Sequence, residues 1–141
     1  DRLAVRQGLA DGTIDCIATD HAPHAPEEKA LGLGKAPNGI IGLETALPVS
    51  LGLVAEGVLS LAGLIAKMAT IPARILGLPC GLRPGMPADL TLIDPDLEFT
   101  IEPPLFKSRS RNSPFVGMKV RGKAVLTMVA GRIVFEDNSI A

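Results

Sequence analysis

The chain has 141 residues, a net charge of −1 and no basic run longer than two residues, which excludes the electrostatic footprint of a nucleic-acid binder. Its apolar content of 47% and mean hydropathy of +0.33 are high, yet no stretch approaches the roughly 20 apolar residues of a membrane-spanning helix, so these side chains belong in a core. Two cysteines, Cys16 and Cys80, match neither a disulfide framework nor a Cys-x-x-Cys metal pair and fit a reducing, cytoplasmic compartment.

Asp1-Arg2-Leu3 does not read as the start of a signal peptide. Leu3, Val5, Arg6 and Leu9-Ala10 follow helical spacing and Gly12 is placed as a stop, which predicts a helix over residues 2–11. Ile14 to Thr19 is short, mostly apolar and partly β-branched, and reads as a strand buried on both faces. Helix, short turn and buried strand is the repeating grammar of an α/β barrel. Polar residues begin abruptly at Asp20, and in parallel α/β folds the chemistry sits beyond the carboxyl ends of strands. Asp20 therefore occupies a functional address, with both histidines of the chain, His21 and His24, within four residues of it. A carboxylate there can hold a divalent metal and also accept a proton from metal-bound water, whose pKa the ion lowers to about 7. The alternative is an Asp that caps the following turn. Pro23 between the histidines argues for a loop, not a helix face carrying paired ligands, and leaves metal binding, substrate contact and a plain loop role open for them.

From His24 to Gly39, Pro26, Gly32, Gly34 and Pro37 break any periodicity and predict a long loop of the kind that covers an active site. Glu27 and Glu28, adjacent on that loop, are expected to point apart into solvent. Leu43 to Val54 is apolar nearly all round and reads as a buried helix, with Glu44 near its start favouring the helix dipole. Ser60 is a cap for a helix over residues 61–69, and Pro72 and Gly77 bracket a short one over residues 71–76. After Leu78 the clustered Pro and Gly residues mark a boundary. Beyond it, short strands are predicted over residues 89–93, 97–101, 118–121, 124–130 and 132–135, with turns at Gly122-Lys123 and Ala130-Gly131. Between them, Lys107-Ser108-Arg109-Ser110-Arg111-Asn112 reads as a solvated connection, and Phe115 as an anchor in the small β domain.

Ala18 to His24, reading Ala-Thr-Asp-His-Ala-Pro-His, resembles the strand-eight signature of dihydroorotases of the bacterial and multifunctional type, in the amidohydrolase superfamily. Asn38-Gly39-Ile40-Ile41-Gly42-Leu43-Glu44-Thr45-Ala46-Leu47-Pro48 resembles that family's next segment. Asn112-Ser113-Pro114-Phe115, followed by Gly122 and Gly131, resembles its C-terminal region. The three segments come in the family's order and span essentially the whole chain.

The resemblance implies an α/β fold made of the C-terminal part of a (β/α)8 barrel, residues 1–78, and part of a small composite β domain, residues 79–141. It implies the reversible cyclisation of N-carbamoyl-L-aspartate to dihydroorotate in pyrimidine biosynthesis, at a zinc site. Asp20 would be the carboxylate that meets the metal and carries the proton. His24 would bind the substrate carboxylate, the backbone around Asn38 and Gly39 would hold the substrate ring, and His21 would shape the loop. A whole barrel takes about 250 residues, so the family's His-x-His pair, bridging lysine and further histidines are expected upstream, and the chain alone is not expected to complete the metal site. Apolar surface left uncovered in this way would favour self-association, a homo-oligomer. Two alternatives within the resemblance are a hydantoinase or allantoinase, and a non-catalytic dihydroorotase-like subunit that scaffolds aspartate transcarbamoylase. The Ala-Pro-His continuation after Asp20 favours dihydroorotase over the first.

Overall fold

Gly12 ends the first helix where its sequence position says it should. In the computed structural model, which describes residues 1–137, helix α1 spans Arg2–Asp11 and Gly12 takes the left-handed conformation, φ 87°, that a residue without Cβ adopts freely. Hydrogen bonds from the side chain and backbone of Thr13 hold the Asp11 carboxyl below its usual pKa. Leu9 is buried beneath α1, whereas Leu3 and Val5 on the same helix remain exposed.

The expected buried strand over residues 14–19 is not formed. A strand exists through its ladder with neighbours, and among the described residues no strand lies beside this one. Its backbone is instead held by one residue of a distant helical turn: Ile17 N–H donates to the Lys67 carbonyl at 3.0 Å, and Lys67 Nζ, on a buried side chain, donates to the Ile14 carbonyl at 2.5 Å. Asp15 and Ala18 are exposed and Cys16 is half-buried, which corrects the reading of burial on both faces. Parallel pairing appears only as a bridge between His21 and Ile40.

Between residues 24 and 39 the expected loop contains one helical turn, α2 (Pro26–Lys29). Helix α3 (Ala46–Ala55) starts three residues later than predicted, because Gly42 to Thr45 form a preceding turn closed by Ala46 N–H to the Gly42 carbonyl. Ser60 caps α4 (Leu61–Ile65) by accepting the Gly63 N–H at 3.0 Å. Two separate helices are predicted beyond it. The structure instead runs α4 through a π-helical turn at Ala66–Thr70 into α5 (Ile71–Ile75), all right-handed. Pro72, which lacks the N–H that α-helical bonding requires, stands just after this π turn, a rare single-turn interruption of an otherwise α-helical run.

The last third is a three-stranded antiparallel sheet in the order β1 (Leu90–Thr100), β2 (Lys119–Val129), β3 (Arg132–Glu136). Two predicted breaks are absent. The strands over 89–93 and 97–101 are one bulged strand, and Gly122-Lys123 is no turn but the opposing part of β2. Gly122 is buried at φ 95°, and a Cβ on it would overlap Leu51 Cδ1 of α3. Its absent side chain serves close approach between helix and sheet, and the bulge at Asp94 to Glu98 bends β1 around it. Ala130 (φ 48°) and Gly131 (φ 77°) do form the predicted turn, with the Ala130 N–H held by Asp89 Oδ1 at 2.6 Å. Positive φ at both positions is the signature of a tight hairpin. The core cluster of Ile41, Ile101 and Phe106, flanked by Val49, Phe99, Phe115 and Val120, joins residues from both sides of the composition break at residue 78. Phe115 anchors there as expected. Among the described residues, no helix is long and apolar enough to cross a membrane.

Candidate active site

The bridge between His21 and Ile40 brings two stretches side by side: residues 20–24, following the extended segment, and residues 38–42, preceding α3. Ala22 N–H donates to the Ile40 carbonyl at 2.8 Å. His21 Nδ1 accepts the Gly42 N–H at 3.1 Å and faces the Leu43 N–H at 3.4 Å. It fastens the turn that leads into α3, the loop-shaping part expected of it. Gly42 is buried where a Cβ would press on the Thr19 carbonyl at 3.0 Å, so a larger residue would push the two stretches apart.

Three of the four expected site residues meet across this junction. His24 Nε2 lies 2.9 Å from the Asn38 carbonyl oxygen. A carbonyl can only accept, so Nε2 carries the proton and the ring is fixed in orientation. Its other nitrogen, Nδ1, lies 3.8 Å from a Glu28 carboxylate oxygen. Gly39 adopts φ 104°, and a Cβ on it would stand 2.6 Å from Ala22 Cβ and 3.8 Å from His24 Nε2. The Gly39 N–H has no hydrogen-bond partner among the described residues and points to the opposite side of its trans peptide from the Asn38 carbonyl that holds the His24 ring. Glu28, expected to face solvent, also accepts the Ala25 N–H at 2.9 Å and closes the first turn of α2. Lys29 reaches back to the carbonyls of Pro37 (2.8 Å) and Gly39 (3.1 Å), tying the loop shut.

Asp20, the fourth, sits one residue before the bridge in a left-handed conformation, φ 44°, which Asp tolerates better than most residues. Its side chain is exposed and accepts no hydrogen bond among the described residues, so it does not cap the following turn. Its oxygens are available to one cation. A resident zinc needs about four donors, and among the described residues no three His, Cys, Asp or Glu side chains converge. One ring nitrogen of each neighbouring histidine, His21 Nδ1 and His24 Nε2, is engaged by backbone, and His24 Nδ1 faces Glu28. The described residues thus fit a contribution of one carboxylate ligand to a metal centre, not the whole centre.

The segment from Lys107 to Asn112 is not a solvated connection. Its residues alternate: Lys107, Arg109 and Arg111 are exposed, whereas Ser108, Ser110 and Asn112 are buried or half-buried, and Ser110 and Asn112 meet the two stretches just described. Asn112 Nδ2 donates to the carbonyls of Ala22 (2.9 Å) and Gly39 (3.3 Å), and its main-chain carbonyl accepts the Ile41 N–H at 3.1 Å. The His24 N–H points at Ser110 Oγ (3.2 Å) and Asn112 Oδ1 (3.4 Å), and Ser110 Oγ lies 2.5 Å from the His24 carbonyl. Ser108 N–H donates to Glu44 at 2.6 Å, so Glu44 holds this segment as well as standing near the start of α3. Ser110 was not singled out by its sequence context. The alternation of basic and small polar residues was the available signal. A hollow of about 420 Å³ between α3 and the sheet, lined among others by Glu44, Phe99, Phe106 and Lys123, includes none of Asp20, His24, Asn38 and Gly39.

Known proteins match this chain over nearly its whole length. The amidohydrolase family profile matches residues 1–134. Dihydroorotase from Desulforapulum autotrophicum is 58% identical over 136 residues, which covers 96% of this chain and 32% of that protein. Dihydroorotase from Syntrophotalea carbinolica is 54% identical over 136 residues, with the same coverage. Among solved structures, the L-hydantoinase (dihydropyrimidinase) from Arthrobacter aurescens superposes with a TM-score of 0.88 at 38% identity, over 95% of this chain and 31% of that one. The chain spans about a third of the length of the curated relatives it matches.

Proposed function

This chain belongs to the amidohydrolase family, and from that premise we propose that it is the C-terminal portion of a zinc-dependent dihydroorotase. The reaction is the reversible closure of N-carbamoyl-L-aspartate to dihydroorotate with loss of water, a step of pyrimidine biosynthesis. The observation that carries this reading is the junction of His24, Asn38 and Gly39, where the Asn38 carbonyl fixes the His24 ring and the Gly39 N–H, on the other side of the same trans peptide, is unengaged among the described residues.

In ring opening, the Asp20 carboxylate takes a proton from the attacking water and returns it to the departing ring nitrogen. In ring closure it takes the proton from the attacking ureido nitrogen and delivers it to the departing water. Zinc, when bound with Asp20 as one ligand, supplies Lewis-acid polarisation and a lowered water pKa, and its remaining ligands come from the rest of the protein. His24 binds the substrate carboxylate that takes no part in the ring. A carboxylate oxygen is a stronger acceptor than the neutral Asn38 carbonyl, so the substrate can take over the Nε2 proton. The Gly39 N–H then donates to the ring. A site built on hydrogen-bond donors that the substrate must satisfy discriminates sharply against rings lacking the carboxylate.

The second reading is a cyclic amide hydrolase acting on hydantoin-type rings, favoured by the 38% identity to the Arthrobacter L-hydantoinase. The test is turnover by the full-length, zinc-loaded protein. Hydrolysis of dihydroorotate with little activity on hydantoin supports the first reading, and the reverse preference supports the second. A folded, metal-loaded protein active on neither would leave a scaffolding subunit as the reading.

A further inference from the structure

We infer that Asn112, assisted by Ser110, is a positioning residue that locks the His24 stretch to the Gly39 stretch and so sets the geometry in which both meet substrate. The inference rests on the assignment of His24 and Gly39 as substrate contacts. Every hydrogen-bonding group on Asn112 except its own N–H is committed to these two stretches. The two Nδ2 protons go to carbonyls on different sides of the junction, Ala22 and Gly39. Oδ1 lies 3.4 Å from the His24 N–H, and the main-chain carbonyl takes the Ile41 N–H. Two donors and one acceptor on one short planar group are required, and only an asparagine side chain supplies both at that reach.

Ser110 completes the hold on His24 from both ends of its peptide. Its Oγ faces the His24 N–H and the His24 carbonyl, with Asn112 Oδ1 as a further close neighbour. Gly39 is fixed from a second direction, since Lys29 Nζ shares its carbonyl with Asn112. Ser110 is itself buried, at 8% exposure, so water does not readily replace these bonds. Asn112 makes no hydrogen bond to the His24 ring or to Asp20. It acts through the backbone that carries the ring and the Gly39 N–H.

The experiment is Asn112→Ala and Asn112→Asp in the full-length, zinc-loaded protein, with KM and kcat for dihydroorotate, zinc content, melting temperature and amide exchange over residues 21–42. The expected result is a KM raised about tenfold or more, kcat within about threefold and zinc content unchanged, the pattern of lost uniform binding. Exchange at the His24 and Ile41 amides should accelerate. Asn112→Asp, nearly the same shape, should be at least as impaired as Asn112→Ala, because it sets a carboxylate against two carbonyl oxygens. In a His24→Ala background, Asn112→Ala should cost less than it does alone, since both act on the same contact. Unchanged KM and unchanged exchange in a folded Asn112→Ala protein would overturn the inference, as would full additivity with His24→Ala. Should Asn112→Ala not fold, Ser110→Ala is read by the same comparisons. If the unsubstituted protein does not turn over dihydroorotate, the functional reading fails, and the exchange data still decide whether Asn112 holds the junction.

Discussion

Replacing Gly39 with Ala tests whether the junction works as a unit. At φ 104° a Cβ is strained, which costs of order 1–3 kcal/mol. The same Cβ would stand 2.6 Å from Ala22 Cβ, about 1 Å inside ordinary contact of two methyl groups. One of the two stretches must therefore move by roughly that amount, and Asn112 and Lys29 both oppose it through the Gly39 carbonyl. A displacement of about 1 Å in a positioning element can cost as much as a hundredfold in rate or binding. Gly39 is half-buried in a loop and outside the core cluster, so most of the strain should appear as lost function. The assay is steady-state hydrolysis of dihydroorotate by full-length Gly39→Ala protein, with its melting temperature. A kcat/KM reduced by about tenfold to a hundredfold in a folded protein is expected. Activity within twofold of the unsubstituted protein would refute the reasoning, since it would show that the two stretches need not touch.

Three further substitutions probe separate parts of the account. Asp20→Ala should abolish turnover, by about a thousandfold or more for loss of a proton carrier and ligand together, while the circular dichroism of the folded protein stays unchanged because the side chain is exposed and holds no other part of the chain among the described residues. Substantial residual turnover would remove Asp20 from the chemistry. His24→Ala should raise KM while kcat changes little, and an unaltered KM would end its assigned part in substrate binding. Gly122→Ala should leave KM alone and lower stability by about 2–5 kcal/mol, combining positive-φ strain with overpacking against Leu51. Chemical denaturation of the full-length protein reads this, and a shift below about 0.5 kcal/mol would mean that helix α3 and the sheet are not packed as described.

Elements whose causes are local were legible in the sequence. Gly12, Ser60, Gly77 and the Ala130-Gly131 turn each act within a few residues, and each stands where expected. Residues 14–19 were misread because a strand depends on neighbours that its own sequence does not contain. Gly122 was misread as a turn because positive φ is a local property, while its reason, the approach of Leu51, comes from a helix about 70 residues away in sequence. The site divides the same way. Asp20 and the two histidines stood out as candidates through their clustering after an apolar run, and Asn38 and Gly39 became candidates through the family resemblance alone. Ser110 was hidden, because its bonds to His24 span 86 residues, and serines between basic residues look like solvated chain until the alternation of faces is seen.

The measurement that bears most directly on the central claim is a crystal structure of the full-length, zinc-loaded protein with dihydroorotate bound. Asp20 should bind the metal, His24 should have exchanged the Asn38 carbonyl for the ligand carboxylate, and the Gly39 N–H should point at the ring. A ligand bound away from this junction, with the His24 ring still on Asn38, would contradict the account.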